Sequence, residues 1–189
     1  MGRTKEFDEL EVLDKAVTLF WEKGYHATSM QDLVDGLGIS RSSLYASYGD
    51  KHALFLSALE RYRSKASGQV TQLIAGQPDA RSALASLFRL DAEMKPKGCF
   101  VVNATAELGG QDQAACSVTA SGLQDLRQIF ADVVREGQAR GEFSTSLDAE
   151  ALGLFFGNAH SGLQIAIKGG LPCEQIRSIV ETTLSVLDR

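Results

Sequence analysis

Apolar residues recur at intervals of three and four along almost the whole chain, and this spacing constrains it to a helical fold. In the first segment, Leu10, Leu13, Val17 and Phe20 are spaced to share one face of a helix. No segment alternates apolar and polar residues between turn dipeptides, as a half-buried strand would. The sequence therefore predicts an all-α protein.

Capping residues and glycines divide this pattern into about nine helices. Asp8 with Glu11, and Thr28 with Gln31, have the spacing of N-terminal capping pairs. Other residues that can cap a helix start are Ser40, Asp50, Asp112 and Asp148. The predicted helical segments are 8–24, 28–38, 41–47, 50–76, 83–90, 99–108, 112–140, 148–168 and 172–187.

Composition excludes several classes of protein. With 44% hydrophobic residues in 189, the chain has too much apolar surface to remain disordered. Three cysteines, at positions 99, 116 and 173, are too few and too far apart for a disulfide framework. The charged N-terminus lacks the apolar core of a signal peptide, and the charge-free segment 151–167 contains Asn158 and His160. We expect a soluble, cytoplasmic protein with no membrane partner.

The most informative segment is a pair of short helices separated by Gly38. A helix of about seven residues, such as 41–47, is not stable alone, so its neighbours must hold it. Two short helices joined by a tight turn are typical of the helix-turn-helix, whose second helix enters the major groove of DNA. Arg41 can contact guanine with two hydrogen bonds. The candidate DNA-binding residues are Thr28, Ser29, Arg41, Ser42, Ser43, Tyr45, Ser47 and Lys51.

Spacing alone leaves open that these are ordinary surface residues. The net charge is −5, so any positive DNA-binding surface must be local. A helical interaction module that does not bind DNA is therefore an alternative. We find no sequence motif of an enzyme, no cysteine or histidine cluster with metal-ligand spacing, and no cofactor-binding motif.

The segment 10–60 resembles the N-terminal signature of the TetR/AcrR family of transcriptional regulators. The matching residues are Ala16, Phe20, Gly24, Tyr25, Thr28, Ile39, Ser40, Leu44, Tyr45, Lys51 and Leu54. The resemblance implies an all-helical homodimer that binds a palindromic operator through its third helix, most often as a repressor. It also implies a DNA-binding domain at 1–50 and an effector-binding and dimerisation domain at 51–189. Many members have an aromatic residue or histidine where this chain has Ser47.

The resemblance also implies a small-molecule effector that binds among helices four to eight and changes the separation of the two DNA-binding heads. The resemblance places the link between the DNA-binding domain and the effector-binding domain near Lys51. Two further basic residues, Arg3 and Lys5, lie in the N-terminal arm. Candidate effector-binding residues are polar or aromatic side chains on otherwise apolar faces: Phe88, Cys99, Asn103, Glu107, Cys116, Phe130 and His160. For each of them, an ordinary core or boundary residue is the alternative.

Cys99 also suggests a second mode of regulation. It follows Lys97 at a predicted helix start, where the cation and the helix dipole favour the thiolate. The segment resembles the start of the sixth helix in family members that respond to oxidants or electrophiles. Cys99, alone or with Cys116, is thus a candidate electrophile sensor, and a small packed side chain is the alternative.

The eighth predicted helix has a stripe of small residues. Gly153, Gly157 and Ser161 recur every four residues, and interior glycines need a packing reason because each costs about 1 kcal/mol relative to alanine. A partner subunit could provide this reason, or the helix could lie at the centre of the monomer. The predicted dimer-interface residues are Gly153, Phe156, Gly157, Ser161, Ile176, Val180 and Leu184.

Overall fold

The computed structural model describes residues 8–89 and 97–188, which form nine α-helices and a terminal 3-10 turn. The helices are α1 (Glu9–Lys23), α2 (Met30–Leu37), α3 (Arg41–Tyr48), α4 (Lys51–Ala75), α5 (Ala80–Arg89), α6 (Phe100–Leu108), α7 (Gln113–Ala139), α8 (Ala149–Lys168) and α9 (Cys173–Leu184). The turn covers Ser185–Asp188. These ranges contain no strand, and the all-α prediction is confirmed. Residues Arg3, Lys5 and Leu90 lie outside the described residues.

Most helices begin at the capping residue that the sequence predicts. The carboxylate of Asp50, for example, accepts a hydrogen bond from the backbone N–H of Ala53 at 2.8 Å. Asp8, Ser40, Asp112 and Asp148 cap their helices in the same way. These side chains satisfy backbone donors that have no partner within the helix.

The predicted capping pair of α2 is wrong by one residue. Ser29 is the cap: its hydroxyl accepts from the N–H of Asp32, whose carboxylate accepts from the N–H of Ser29 in return. The Thr28 side chain is fully buried, and its hydroxyl donates to the carbonyl oxygen of Gly24 at 2.6 Å. Thr28 therefore closes the turn after α1 instead of starting α2.

The first of two apolar cores lies under the N-terminal helices. Val12, Ala16 and Phe20 of α1 face inward, whereas Leu10 is 55% exposed, so the predicted inward face of α1 was wrong at that residue. The core continues past residue 50, because it includes Leu54, Phe55, Ala58 and Leu59 of α4 and Phe100, Ala104 and Leu108 of α6. The N-terminal helices and α6 thus share one apolar core, in which α4 packs against both α1 and α6.

The second core joins α5, α7, α8 and α9, and it explains the small-residue stripe. A Cβ atom on Gly153 would lie 2.8 Å from both the Cβ of Ala131 and the carbonyl oxygen of Arg127 on α7. A Cβ on Gly157 would lie 2.6 Å from the Cγ of Arg127. The glycines therefore let α8 approach α7 of the same chain, so their packing reason lies within the monomer, the second of the two explanations given above.

Other predicted interface residues lie in this same core. Phe156, Ile176, Val180 and Leu184 are all buried within one chain. Ser161 is half-buried, and its hydroxyl donates to the carbonyl oxygen of Gly157. Ile179, on the same helix as Ile176 and Val180, is exposed. No helix within residues 8–89 and 97–188 is long and apolar enough to cross a membrane.

Candidate nucleic-acid interface and adjoining cavity

A tight turn at Gly38 sets α3 across α2. Gly38 has φ of 68°, a left-handed conformation that glycine adopts without steric cost. Leu37 and Ile39 on either side of it are buried, as is Leu44 in the middle of α3. These apolar anchors hold one side of α3 against the core and leave its other side on the surface.

The outer side of α3 is polar. Arg41, Ser42 and Tyr45 are exposed, and Ser43 and Ser47 are half-buried. Among the described residues no hydrogen bond or ion pair holds Arg41, so its guanidinium group can reach a ligand. The hydroxyl of Ser40 lies 2.9 Å from that of Ser42 and 2.8 Å from that of Ser43. This face can form hydrogen bonds with base edges or phosphates.

Lys51, at the start of α4, lies beside this face. Its Nζ atom is 4.5 Å from the centre of the Tyr25 ring, a cation–π contact. Burial lowers the pKa of Lys51, and the negative charges of Glu107 and Asp32 act in the opposite direction. Because the Thr28 hydroxyl is engaged with Gly24, a contact from Thr28 to phosphate would have to use its backbone.

Glu107, a candidate effector residue, instead contacts the turn between α1 and α2. Its carboxylate accepts from the backbone N–H of Tyr25 at 3.0 Å and from that of His26 at 2.7 Å. A Cβ atom on Gly24 would lie 2.8 Å from the carboxylate. The C-terminal end of α6 is thereby attached to the turn between α1 and α2.

A cavity of about 370 Å³ lies between α1, α4, α6 and α7. Two candidate effector residues, Cys99 and His160, are among its lining. Sequence reasoning missed its two large aromatic residues, Trp21 and Tyr62. Their rings pack edge to face with centres 5.2 Å apart, although 41 positions separate them in the sequence.

The remaining effector candidates are not in this lining. Phe88 and Phe130 are buried in the second core with ring centres 5.3 Å apart. The side-chain amide of Asn103 donates to the carbonyl oxygen of Lys97. The thiol of Cys116 donates to the carbonyl oxygen of Leu108.

Cys99 occupies the position before the first turn of α6. Its sulfur accepts a hydrogen bond from the Tyr62 hydroxyl at 3.7 Å. The Lys97 ammonium group, which we expected to act on this thiol, forms an ion pair with Glu22. Cys116 lies beyond the other end of α6, whose nine residues span about 13 Å at 1.5 Å each, so a disulfide with Cys99 would require rearrangement. The described residues contain no group of three potential metal ligands.

The comparisons with known proteins all match one protein family. Residues 12–58 match the family of bacterial regulatory proteins called the tetR family, and residues 81–168 match a tetracyclin repressor-like C-terminal domain. The chain is 33% identical to the HTH-type transcriptional repressor ComR of Escherichia coli, over 97% of this chain and 90% of ComR. It is 30% identical to the HTH-type transcriptional regulator YezE of Bacillus subtilis, over the full length of both.

A solved structure extends the likeness to a DNA complex. It holds a cysteine-substituted variant of CifR, a TetR family transcriptional regulator, complexed with 26-base-pair double-strand operator DNA. The TM-score is 0.86 at 29% identity, and the match covers 98% of this chain and all of that one.

Proposed function

Because the chain belongs to the TetR family of bacterial regulatory proteins, we propose that it binds a palindromic operator as a homodimer and is released by a small molecule in the cavity. As a member of this family it is a DNA-binding transcriptional regulator and not an enzyme. Repression is the favoured direction, since ComR is named a repressor. We place its activity in the cytoplasm, where operator DNA is found.

The observation that carries this proposal is the outward presentation of α3. Arg41 projects from the first turn of the helix, where the recognition helix of a helix-turn-helix contacts base edges. Its guanidinium group can form two hydrogen bonds with O6 and N7 of guanine, which discriminate a base pair by about 1–3 kcal/mol. We assign phosphate contacts to Tyr45, Lys51 and the serine hydroxyls.

Titration of labelled DNA from upstream of the protein's own gene tests this assignment. We expect Arg41→Ala to reduce the discrimination between operator and base-substituted duplex by about 1–3 kcal/mol. Arg140→Ala is the matched control, because Arg140 is an exposed arginine at the end of α7. If the wild-type protein binds operator and unrelated DNA equally at moderate salt, the interaction module without DNA binding becomes the better account.

We propose a second copy of the chain as the partner of the exposed apolar side chains of α8 and α9. Leu154 and Ile165 of α8 are 57% and 58% exposed, and Ile179 of α9 is also exposed. They lie on the side of the helices away from the second core. Two copies that pair through this face would carry their α3 helices to opposite ends of one operator.

Sedimentation of variants tests the dimer. We expect Leu154→Glu to give a monomer and to weaken operator binding, because a charge would have to be buried at the interface. Leu10→Glu is the control, since Leu10 is similarly exposed but lies on α1. A dimer that persists in Leu154→Glu at micromolar concentration would refute this interface.

Thiol sensing through Cys99 is a second candidate function, favoured by the position of its sulfur at the cavity. If an electrophile acts there, N-ethylmaleimide should release operator DNA from the wild-type protein and not from Cys99→Ser. Cys173→Ser is the control, because Cys173 is exposed on α9. Release that continues unchanged in Cys99→Ser would exclude this mechanism.

A further inference from the structure

We infer that the cavity takes a neutral, largely apolar molecule that lies against Trp21, so that α1 of the DNA-binding unit (α1, α2 and α3) forms part of the effector site. The inference rests on the proposed function in treating this cavity as the effector site. It adds the chemical class of the effector and the element that contacts it.

The walls of the cavity are mainly aliphatic and aromatic. Each of five helices contributes apolar side chains to the lining: Val17 and Trp21 from α1, Tyr62, Ala66 and Val70 from α4, Leu87 from α5, Val101 and Val102 from α6, and Leu123, Leu126 and Ile129 from α7. Covering such a surface with an apolar ligand is favourable, because apolar area is removed from water. The uncharged polar side chains in the lining are Thr18, Ser67, Gln69 and His160. The Tyr62 hydroxyl donates to the Cys99 sulfur.

The charged groups in the lining are matched in pairs, which argues against a charged occupant. The ammonium group of Lys65 is 2.6 Å from the carboxylate of Asp14, which also accepts from Arg61. The guanidinium group of Arg63 is 2.8 Å from the carboxylate of Asp125. An ionic ligand would have to break one of these pairs or enter without a counter-charge, and both are costly.

The position of Trp21 couples the cavity to the DNA-binding unit. Its indole N–H donates to the carbonyl oxygen of Gly98 at 3.0 Å, just before α6. The preceding residue, Phe20, is buried in the core beneath α2 and α3. An occupant that displaces the Trp21 ring therefore acts on α1 itself, without an intermediate shift of α4 at Lys51.

Quenching of tryptophan fluorescence tests contact and chemical class together, because Trp21 is the only tryptophan of the chain. The probes are 1-aminoanthracene, which is neutral at pH 7, and anthracene-1-carboxylate, which has the same ring system and a negative charge. We expect saturable quenching by 1-aminoanthracene at a Kd at least tenfold lower than that of the carboxylate. Equal affinities would overturn the assignment of a neutral ligand, and no saturable quenching would overturn contact with Trp21.

Two substitutions locate the probe. Ala66→Phe should fill part of the cavity and weaken the binding of 1-aminoanthracene at least tenfold. Ala75→Phe, on the exposed end of the same helix, is the control and should leave that binding unchanged. Val70→Phe replaces Ala66→Phe if that variant does not fold, as judged by its thermal unfolding. Unchanged probe affinity in a folded cavity variant would place the probe elsewhere and overturn the inference.

Operator DNA provides the reciprocal test. If α1 is a wall of the site, saturating operator must change the Kd of 1-aminoanthracene, and we expect a change of at least fivefold. An unchanged Kd would overturn the direct action on α1, even if operator binding itself is normal. Failure of the wild-type protein to bind any operator would instead contradict the proposed function. The quenching test would still decide whether a neutral ligand contacts Trp21.

Discussion

Removal of the Glu107 carboxylate should loosen the attachment of α6 to the DNA-binding unit. In Glu107→Ala the backbone N–H groups of Tyr25 and His26 lose their acceptor. A hydrogen bond to a charged group contributes about 1.5–3 kcal/mol, but His26 is exposed and water can replace its partner. The half-buried Tyr25 bond dominates, so we expect the free energy of unfolding to fall by about 2 kcal/mol.

Thermal unfolding measures this effect. For a chain of this size about 2 kcal/mol corresponds to a fall in Tm of roughly 4–8 °C. Glu107→Gln should have an intermediate effect, because its amide retains one acceptor oxygen but turns an N–H group toward the second donor. Glu174→Ala, on the exposed first turn of α9, is the control. A Tm of Glu107→Ala within about 1 °C of wild type would refute this account of the attachment.

Three further predictions concern packing and charge. Gly153→Ala should lower the free energy of unfolding by about 1–3 kcal/mol in urea titrations, because the added Cβ meets α7. Gly68→Ala is the control: there is open space around Gly68, so this variant should raise the free energy of unfolding by about 0.5–1 kcal/mol. Leu44→Ala should lower the free energy of unfolding by about 2–5 kcal/mol in the same assay, since the Leu44 side chain is fully buried on the inner side of α3. A hydrogen bond from Arg61 lowers the pKa of Asp14 from 3.8 to about 2. The ionised Asp14 therefore stabilises the fold above about pH 4, and this contribution is lost as the pH falls toward 2. In Asp14→Asn, the free energy of unfolding should therefore depend less on pH between about 4 and 2 than in the wild-type protein.

Local sequence signals predicted the helices well because their causes are local. Asp50 and Asp148 cap helices through hydrogen bonds to residues only three positions away, so a short window of sequence contains both partners. The burial of Leu44 and the exposure of Arg41 likewise follow from the 3.6-residue period of one short helix.

Tertiary partners were not predictable in the same way. The stripe of Gly153 and Gly157 correctly indicated a close helix approach, but a small residue does not specify which helix approaches it. Glu107 binds backbone N–H groups, which every residue carries, so no side chain near Tyr25 identifies that contact. Trp21 has the spacing of an ordinary core residue, and the cavity beside it forms only where α1, α4, α6 and α7 come together in the fold.

Hydroxyl-radical footprinting on the operator tests the central claim, that two copies of the chain present α3 to DNA. We predict two protected patches centred one helical turn apart, about 34–36 Å, or a multiple of it, and weaker protection of both in Arg41→Ala at the same protein concentration. A single protected patch, or protection that is the same on unrelated DNA and in Arg41→Ala, would contradict it.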